Sequence, residues 1–438
     1  MSQPEPVDNP LTIWIVNPLD DIPGEHFPAQ RTWSLARLMA SRGHDVTWWS
    51  ANWSHRKKTS RTAPLGVRND EGFSVRLVAV RGYEQDMARA RFMSHRDFGR
   101  TFERLANESV AAGHLTRPDI ILATLPPIDG PEAAARLAAR LNSTLVIDAL
   151  NSWPESLERL VPGPALFRPF IKRFLLGRMT NRRNNVLRAA DAIAAASPEC
   201  IPSSPMVVPD DVPRFIAPLG GYPQQFDRPP RSIDHVALAP GIQLVQRTAE
   251  QNTDTLECVH AGQLSAAEDI DTLLAAVRHL SQHRVHATIH FTGQGKFEQN
   301  VRNAAAATNG SCRLVVHGLL DQKTYADLLA RCDVGLVLTR PESVSAMPSE
   351  TFDYASAGLA MVGGLKDLMK PILDEPRAGL HYASGEPDSL SQAIRTLAED
   401  RSALAMCRQR ARMLAEQAFN REKITSLYAD WLEGLRTP

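Results

Sequence analysis

The sequence has no long apolar run, and its first residues are polar. No stretch of the 438 residues approaches the ~18–20 apolar residues that a membrane-spanning helix needs. The opening decapeptide, MSQPEPVDNP, lacks the apolar core of a secretory signal. The sequence therefore predicts neither a membrane span nor secretion, and we expect a cytoplasmic protein.

Cysteine is scarce, and no cysteine motif is present. The five cysteines are scattered along the chain, and none belongs to a CxxC pair or to a Cys/His cluster with metal-ligand spacing. This pattern excludes a disulfide framework and a zinc-finger type of site. We expect five buried thiols in a reducing compartment and no bound metal.

The chain also lacks net charge. Lys and Arg together number 49, and so do Asp and Glu, so no overall positive field predicts a nucleic-acid partner. Two local stretches are basic, His55 to Arg61 and residues 167–188, and the second interleaves aromatic and aliphatic side chains with Arg and Lys. That second pattern fits a helix at an anionic membrane surface, or an ordinary amphipathic helix packed on a sheet.

What the sequence does contain is an alternation of short apolar runs with helical patterns. The runs in the first half are Leu11–Asn17, Asp45–Ala51, Phe73–Val80, Asp119–Ala123, Thr144–Ala149 and Asp191–Ala196, followed by short runs at Met206–Val208 and Phe215–Ala217. A second series comprises Leu256–Ala261, Ala287–Thr292, Leu314–Val316, Val334–Leu338 and Ala360–Val362. Strands that alternate with helices predict mostly parallel sheets covered on both faces.

This alternation predicts an α/β fold of two Rossmann-like, doubly wound domains facing a central cleft. We place the first domain at residues 1–205, with a C-terminal helix at 415–438 packing back on it. The second domain spans residues 206–414. The connection near 203–255 is rich in proline and polar residues, as expected of a link between domains.

The stretch from Arg340 to Gly364 is the most informative part of the second domain. It follows a buried strand, passes through a proline-containing loop, and enters a short helix over Thr351–Ala357 for which Ser349 offers an N-cap hydroxyl. Gly358 fits the C′ position of that helix. Ligands of open α/β sheets bind where strands end and helices begin, and a helix N-terminus favours phosphate.

Several motifs, in order along nearly the whole chain, resemble those of retaining glycosyltransferases of family 4, which have the GT-B fold. The resemblance is greatest to the branch that builds bacterial surface polysaccharides. The matching pieces are Arg31–Val46 ending in R-G-H-D-V, N-S-W-P-E at 151–155, D-A-I-A-A-A-S at 191–197, P-L-G-G at 218–221, G-Q-G at 293–295, V-H-G at 316–318 and F-D-Y-A-S-A-G at 352–358.

The resemblance implies a nucleotide-sugar donor in the C-terminal domain, an acceptor on the N-terminal domain, and no metal or other cofactor. It also implies an acid that accepts hydrogen bonds from the ribose hydroxyls, preceded by a second acid with seven residues between them. Alignment from Gly358 assigns the ribose acid to Asp353 and places Ser345 at the other position. The pair Glu342 and Glu350 has the same separation and is the alternative register.

All but one of the candidate donor-binding residues follow strand ends of the second domain. They are Gly262, Gln263, Gly293, Lys296, Arg340, Ser345, Met347, Pro348, Ser349, Glu350 and Asp353. Gly24, in the loop before the first helix, is the other candidate, and a plain turn glycine is its alternative role.

Three positions depart from the family pattern in charge, one by losing it and two by reversing its sign. The family often has cations that contact phosphate where this chain has Gln263 and Glu268, and its polysaccharide branch often has Lys at the position of Glu350. Lys296 and Arg340 are candidates to compensate.

The acceptor side offers His95, Asp148 and Arg31 as catalytic candidates. His95 is a candidate base or phosphate contact, and Asp148 follows a strand. Arg31 lies at a helix start, where a structural ion pair is the alternative role.

The resemblance therefore implies a metal-independent glycosyltransferase that moves a sugar from a nucleotide-sugar to a saccharide or lipid-linked saccharide acceptor, with retention, in bacterial polysaccharide biosynthesis. Its partners would be those two substrates and an anionic membrane surface, on the inner face of the plasma membrane. Two alternatives stay open. One is a nucleotide-sugar 2-epimerase, and the other is a non-catalytic GT-B-like binding protein, which the departures at Gln263, Glu268 and Glu350 suggest.

Overall fold

The computed structural model describes residues 9–25, 30–61, 71–84, 89–155, 168–227, 255–265, 267–308, 310–338, 340, 347–364 and 366–435, with the backbone alone described at 168–175, 366–368 and 371. Two compact units make up the chain. Unit 1 comprises residues 1–218 with 422–438, and unit 2 comprises residues 219–421.

Unit 1 is built on a parallel sheet. Its described strands are β1 (Thr12–Val16), β2 (Asp45–Ala51), β3 (Trp53–Ser54), β4 (Thr59–Ser60), β5 (Ser74–Val78), β6 (Ile120–Leu125), β7 (Thr144–Ala149), β8 (Ala192–Ala195) and β9 (Arg214–Ile216). Seven of them pair in the order β5-β2-β1-β6-β7-β8-β9, and every pairing is parallel. Strands β3 and β4 form a separate small hairpin.

The helices of unit 1 that precede unit 2 in the chain are α1 (Arg31–Ser41), α2 (Arg89–Ala111), α3 (Asp129–Leu141) and α4 (Arg168–Arg188). The central strands are buried along their whole length, because helices cover both faces of the sheet. Two apolar cores result. One contains Trp14, Trp49 and Phe102, whose rings meet edge to face, and the other contains Ile13, Ile15 and Trp48.

Unit 2 has a second parallel sheet. Its strands are β10 (Leu256–Ala261), β11 (Ala287–Thr292), β12 (Cys312–Gly318), β13 (Val334–Val337), β14 (Ala360–Gly363) and β15 (Gly379–His381), paired in the order β12-β11-β10-β13-β14-β15. Its helices are α5 (Ile270–Gln282), α6 (Glu298–Ala307), α7 (Gln322–Leu329), α8 (Glu350–Ser356), α9 (Lys366–Leu373), α10 (Pro387–Glu399) and α11 (Arg401–Gln417). Each sheet therefore has the alternating parallel architecture that the apolar runs predict.

The last helix, α12 (Arg421–Glu433), belongs to unit 1 from Glu422 onward. Tyr428, Ala429 and Leu432 are buried in the core that contains Ile13 and Ile15. Phe215 stacks on the Tyr428 ring with 5.4 Å between the centroids. This aromatic packing fixes the end of the chain to the sheet of unit 1.

Local details differ from the sequence predictions. The predicted strand at Met206–Val208 is a turn, in which the backbone N–H groups of Val207 and Val208 donate to the Ser204 carbonyl oxygen. The apolar side chains Val207 and Val208 are buried all the same, so burial rather than strand pairing explains the apolar pattern. Strand β15 and the β3–β4 hairpin lack a long apolar run, and the sequence does not reveal them.

All five cysteines are free and buried, as predicted. No helix in the described part of the chain has the length and apolar character needed to cross a membrane.

The crossing of α2 over α3 depends on Gly99, and it yields the first prediction. A Cβ atom at Gly99 would lie 2.4 Å from the Asp129 carbonyl oxygen, which is too close without movement of the α3 backbone. We expect Gly99→Ala to destabilise the chain by about 1–3 kcal/mol in denaturant unfolding.

The matched control is Gly177→Ala in α4, where a Cβ atom has nothing within 4 Å. Because alanine favours a helix over glycine, we expect this control to be neutral or stabilising by up to about 1 kcal/mol. Equal effects of the two substitutions would contradict the proposed close packing of α2 and α3.

Candidate functional site

The candidate site of unit 2 lies at the carboxyl edge of its sheet. Strands β10, β11 and β13 end at Ala261, Thr292 and Val337, so the segments that follow them start from one edge. This edge is where open α/β sheets bind ligands. It holds most of the residues that the sequence implies for the donor.

Two of the segments at this edge are in backbone contact. The Leu264 N–H donates to the Gln294 carbonyl oxygen at 3.0 Å, and the Phe297 N–H donates to the Leu264 carbonyl oxygen at 2.9 Å. A Cβ atom at Gly293, where φ is +128°, would lie 1.8 Å from the Gly262 carbonyl oxygen. The glycine at 293 is therefore required by packing, whatever ligand the edge binds.

Helix α8 is held against this edge by Tyr354. The Ala261 N–H donates to the Tyr354 hydroxyl at 2.7 Å, and the Tyr354 ring occupies the space that a side chain at Gly335 would need. This anchoring directs the first turn of α8 toward Gly262. A Cβ atom at Gly262 would be 3.8 Å from Oε1 of Glu350, so the Glu350 carboxyl lies beside this glycine.

The start of α8 differs from its prediction. Ser349 has helical backbone angles and makes no side-chain capping bond, so the predicted N-cap hydroxyl is wrong. The N–H groups of Thr351 and Phe352 instead donate to the carbonyl oxygens of Pro348 and Ser349. At the other end, Gly358 has φ +65°, which confirms its predicted C′ role.

A cluster of acids gathers at this edge. Burial, reinforced by the negative charge of Glu350, raises the pKa of Glu268 from 4.5 to about 8. Burial also raises the pKa of Glu350 to about 7, and the charge of Asp353 contributes. Near neutral pH both carboxyl groups are thus partly protonated, and each can then donate a hydrogen bond.

Two buried polar atoms in this cluster have no hydrogen-bond partner among the described residues. They are Oε2 of Glu268 and Nε2 of His260. The His260 Nδ1 atom is 3.2 Å from the Leu336 carbonyl oxygen, and burial lowers the pKa of His260 to about 4, so the ring is neutral. Unpaired buried polar atoms beside Gly262 indicate a place where a ligand atom would be stabilising.

Asp353 lies one turn after Glu350 on α8 and has different neighbours. It accepts a hydrogen bond from the Tyr325 hydroxyl at 3.2 Å. Burial raises the Asp353 pKa to about 6, while the charge of Arg421 and the Tyr325 bond oppose the rise. Glu350 is the acid beside Gly262, and the role of Asp353 as ribose acid stays a prediction. Ser345 and Glu342 lie outside the described residues.

The candidate compensating cations have different surroundings. The Arg340 guanidinium donates to the Glu268 carbonyl oxygen and to Asp271, each at 3.3 Å, so it contacts the segment that carries Glu268. Lys296 and Gln263 are exposed, and Met347 and Pro348 are half-buried before α8. Whether Arg340 or Lys296 meets a phosphate stays a prediction.

In unit 1, Arg31 and Asp148 form a buried ion pair. The guanidinium donates to both carboxylate oxygens, at 2.8 and 2.7 Å, and also to the Ala217 carbonyl oxygen. Burial lowers the pKa of Arg31, but Asp148 and Tyr428 together, through charge and hydrogen bonds, outweigh this effect and leave the pKa above its ordinary value. These contacts join α1, β7 and the segment after β9, which is the geometry of a structural ion pair. A catalytic role for either residue stays a prediction.

Gly24 is an exposed turn residue with φ +89° and open space around it. Its positive φ explains the glycine without a ligand. Any contact with a donor stays a prediction.

His95 lines a cavity of about 500 Å³ in unit 1. The cavity lies at the carboxyl ends of β6 and β7, between the N-terminal parts of α2 and α3 and the middle of α4. Burial, with Arg91 and His55 nearby, lowers the pKa of His95 to about 3, so its ring is neutral. Neither Arg31 nor Asp148 lines this cavity, so the three catalytic candidates do not form one group in it.

Several arginines of the two basic stretches form ion pairs with acids of the same unit. Arg61 is buried against Glu25, and Arg182 of α4 binds Asp129 and Glu132 at 2.8 and 2.6 Å. Arg183 binds Glu155 at 2.8 Å. Phe167 lies outside the described residues, as do the side chains at 168–175, where the apolar face of the predicted membrane helix falls.

Sequence reasoning missed His260, Tyr325 and Arg421. His260 sits inside an apolar strand and the other two lie on separate helices, so no local spacing marks them. For Glu268, the sequence indicated only that a cation of the family pattern is absent. Its interaction with the Glu350 charge joins positions 82 apart in the sequence, so no local pattern could reveal it.

Comparisons with known proteins agree with this architecture. Residues 255–400 match a family model described as glycosyl transferases group 1. No curated protein sequence matches the chain significantly. The matched segment covers the β10–α10 part of unit 2, including the acid cluster.

Solved structures similar to the chain include a sucrose-phosphate synthase from Thermosynechococcus elongatus, with a TM-score of 0.68, 13% identity, and coverage of 97% of this chain and 99% of the other. Anabaena HepE in complex with UDP gives a TM-score of 0.62, 13% identity, and coverage of 97% and 100%. WaaG, a glycosyltransferase involved in lipopolysaccharide biosynthesis, gives a TM-score of 0.59, 14% identity, and coverage of 96% of this chain and 100% of the other. These likenesses confirm the predicted GT-B fold of two Rossmann-like domains.

The raised pKa of Glu268 predicts a pH dependence of stability. Because the folded chain holds a proton on Glu268 more tightly than the unfolded chain does, the stabilisation is fully present below about pH 4.5 and is lost as the pH rises through about 8. We expect Glu268→Gln to flatten this loss and to be more stable than the wild type at pH 8.5 by about 1 kcal/mol or more.

Denaturant unfolding at pH 5, 7 and 8.5 measures this effect, with the exposed Glu399→Gln on α10 as the control that keeps the wild-type slope. A Glu268→Gln variant that loses stability with pH as steeply as the wild type would show that Glu268 is not a protonated buried acid.

Because Arg31 and Asp148 form a buried ion pair, we expect substitution of Arg31 to lower the free energy of unfolding and not only the rate of a catalysed reaction. Arg31→Met leaves the Asp148 carboxylate buried without its partner, and we expect a loss of about 3–5 kcal/mol in urea unfolding. The double variant Arg31→Met/Asp148→Leu should recover much of this loss.

The exposed Arg37 lies on the same helix and supplies the control, Arg37→Met, which should stay within about 0.5 kcal/mol of the wild type. Full stability of Arg31→Met would rule out a structural ion pair.

Proposed function

We propose that this chain is a glycosyltransferase that transfers a sugar from a nucleotide-sugar donor to a saccharide or lipid-linked saccharide acceptor. The observation that carries the proposal is the match of residues 255–400 to the glycosyl transferases group 1 model, which includes the acid cluster at the carboxyl edge of unit 2. We further propose retention of the anomeric configuration, no metal requirement, and a place in bacterial polysaccharide biosynthesis, all on the resemblance of the sequence motifs.

The donor would bind at the carboxyl edge of unit 2. Structures of Anabaena HepE contain UDP and UDP-glucose, and HepE shares this fold, which supports a uridine diphosphate sugar as the first donor to test. WaaG, which shares the fold, is involved in lipopolysaccharide biosynthesis, and this supports a bacterial glycan as the product. In this arrangement Asp353 accepts from the ribose, and the diphosphate lies near Gly262.

The acids at the diphosphate position require a particular mechanism. Sugar transfer leaves negative charge on the departing diphosphate, and that charge must be stabilised. Ionised Glu268 and Glu350 would oppose it, whereas their protonated forms donate hydrogen bonds to phosphate oxygens. Burial raises both pKa values to near or above neutrality, so the protonated forms are accessible at physiological pH. A bound diphosphate would raise both pKa values further, because its charge favours the neutral acids.

The second candidate is a non-catalytic GT-B-like protein that binds a nucleotide-sugar or a partner without transfer. The acid cluster is the observation that favours it, because the cations expected at Gln263, Glu268 and Glu350 are absent from the sequence. The two candidates differ in one measurable outcome. Release of UDP that depends on an acceptor indicates transfer, and UDP binding without release indicates the binding protein.

Binding of UDP to variants of α8 tests the donor site and its register. We expect Asp353→Ala to weaken UDP binding at least tenfold in calorimetry, because the ribose loses its acceptor. Glu350→Ala should change UDP affinity much less near pH 7, because it removes both the hydrogen bond of the protonated acid and the repulsion of the ionised acid. Glu399→Ala on α10 is the control and should not change affinity.

The opposite pattern, with affinity lost in Glu350→Ala and kept in Asp353→Ala, would replace our register by the alternative one. A chain that binds no uridine, guanosine, adenosine or thymidine diphosphate would contradict the proposed donor class.

A further inference from the structure

The cavity of unit 1 has a distinctive lining along α2. Arg89, Phe92, Met93 and Arg96 all line it, and their spacing of three, four and seven positions puts them on one face of the helix. Phe92 is 44% exposed and Met93 is 38% exposed, which is unusual for large apolar side chains. An apolar pair flanked by two arginines therefore faces the cavity without being covered by the protein.

The opposite walls of the cavity continue the apolar character. Ile128, Trp153 and Met179 come from the start of α3, the segment after β7 and the middle of α4. Mostly apolar walls with a few convergent polar groups are typical of small-molecule sites, and about 500 Å³ is an ordinary size for one.

Two buried polar atoms in the lining lack partners. Nε2 of His95 and Oδ1 of Asn151 have no hydrogen-bond partner in the part of the chain that the structure describes, and both residues line the cavity. An unpaired buried polar atom typically destabilises by about 1–3 kcal/mol. A polar ligand group in the cavity would satisfy them, so these atoms point to a ligand independently of the apolar walls.

The charge available to a ligand comes from Arg89 and Arg96. Arg91 and Arg182 also line the cavity. The Arg91 guanidinium lies over the Tyr83 ring, and that of Arg182 is paired with Asp129 and Glu132 at 2.8 and 2.6 Å. That pairing neutralises Asp129, which is the acid in the lining. Arg89 and Arg96 are exposed, and among the described residues no carboxylate forms a salt bridge with either. The net charge that a ligand meets is therefore positive.

We propose that this cavity binds an amphiphile that carries a phosphate-type anion at one end and an apolar chain at the other. The anion binds Arg89 and Arg96, and the chain packs on Phe92, Met93 and Trp153. A ligand hydroxyl near the anion donates to Asn151 Oδ1, and a hydroxyl or phosphate oxygen meets His95 Nε2. Identifying this ligand as the lipid-linked acceptor rests on the proposed function, whereas the binding itself does not.

Dodecyl phosphate below its micelle concentration is a direct probe, because it combines the two chemical features. Inorganic phosphate and dodecyl maltoside each supply one feature alone. In calorimetry or tryptophan fluorescence with the full chain, we expect dodecyl phosphate to bind at least ten times more tightly than either. Equal affinity for inorganic phosphate would reduce the site to a phosphate site, and equal affinity for dodecyl maltoside would reduce it to an apolar one. Either result overturns the proposal.

Substitutions on the exposed face of α2 identify the residues without disturbing the core. We expect Arg96→Gln to weaken dodecyl phosphate binding about tenfold and Arg89→Gln/Arg96→Gln to weaken it further. Arg100→Gln, one turn further along the same helix, is exposed, does not line the cavity, and should leave affinity unchanged. Equal losses in Arg96→Gln and Arg100→Gln would indicate non-specific attraction to a basic helix and would overturn the site.

These measurements also separate this proposal from the proposed function. Dodecyl phosphate binding with no sugar transfer under any donor would refute the transferase and leave the cavity site standing. Sugar transfer without dodecyl phosphate binding would refute the cavity site and leave the transferase standing.

Discussion

The backbone contact between the segments after β10 and β11 is the constraint on which the candidate site of unit 2 depends. Gly293 lies so close to the Gly262 carbonyl oxygen that no larger residue fits, and hydrogen bonds through Leu264 hold the two segments together. This contact leaves the space beside Gly262 for the Glu350 carboxyl at the start of α8. Packing requires the glycine at 293 and brings it against Gly262. The side chains that lie beside Gly262 therefore determine the chemistry of this edge.

The neighbours of that glycine are acids, and burial determines what they can do. In water, Glu268 and Glu350 would both be ionised at neutral pH, and their repulsion would exclude a diphosphate. Burial raises the pKa values to about 8 and about 7. The charge of Glu350 also favours a proton on Glu268, and the charge of Asp353 favours a proton on Glu350. A protonated carboxyl is a hydrogen-bond donor without charge. The same positions can therefore contact phosphate, at an affinity that falls as the pH rises, whereas a lysine would stay charged over this range.

The fold was largely predictable, because a continuous apolar run of strand length indicates a buried strand whatever the rest of the chain contacts. The runs from Leu11 and from Leu256 are of this kind. The site was predictable only as a set of strand ends. The family resemblance assigned Gly262, Gly293 and Glu350 to one edge, but it did not reveal the unpaired His260 or the identity of Asp148 as the ion-pair partner of Arg31. Those features depend on contacts between distant parts of the chain and on how far water is excluded, and neither has a local signature.

The distribution of arginine in unit 1 explains how a chain with no net charge still presents charge to a ligand. Arg31, Arg61 and Arg182 are neutralised by buried or half-buried acids, so their charges stabilise the unit and are not available outside it. Arg89 and Arg96 are exposed beside uncovered apolar side chains. A basic sequence stretch therefore predicts binding poorly unless the arginines that form ion pairs within the unit are left out of the count. In the described part of unit 1, the exposed Arg89 and Arg96 lie beside the exposed apolar side chains of Phe92 and Met93. A surface that is both cationic and apolar favours an amphiphilic anion over a simple one.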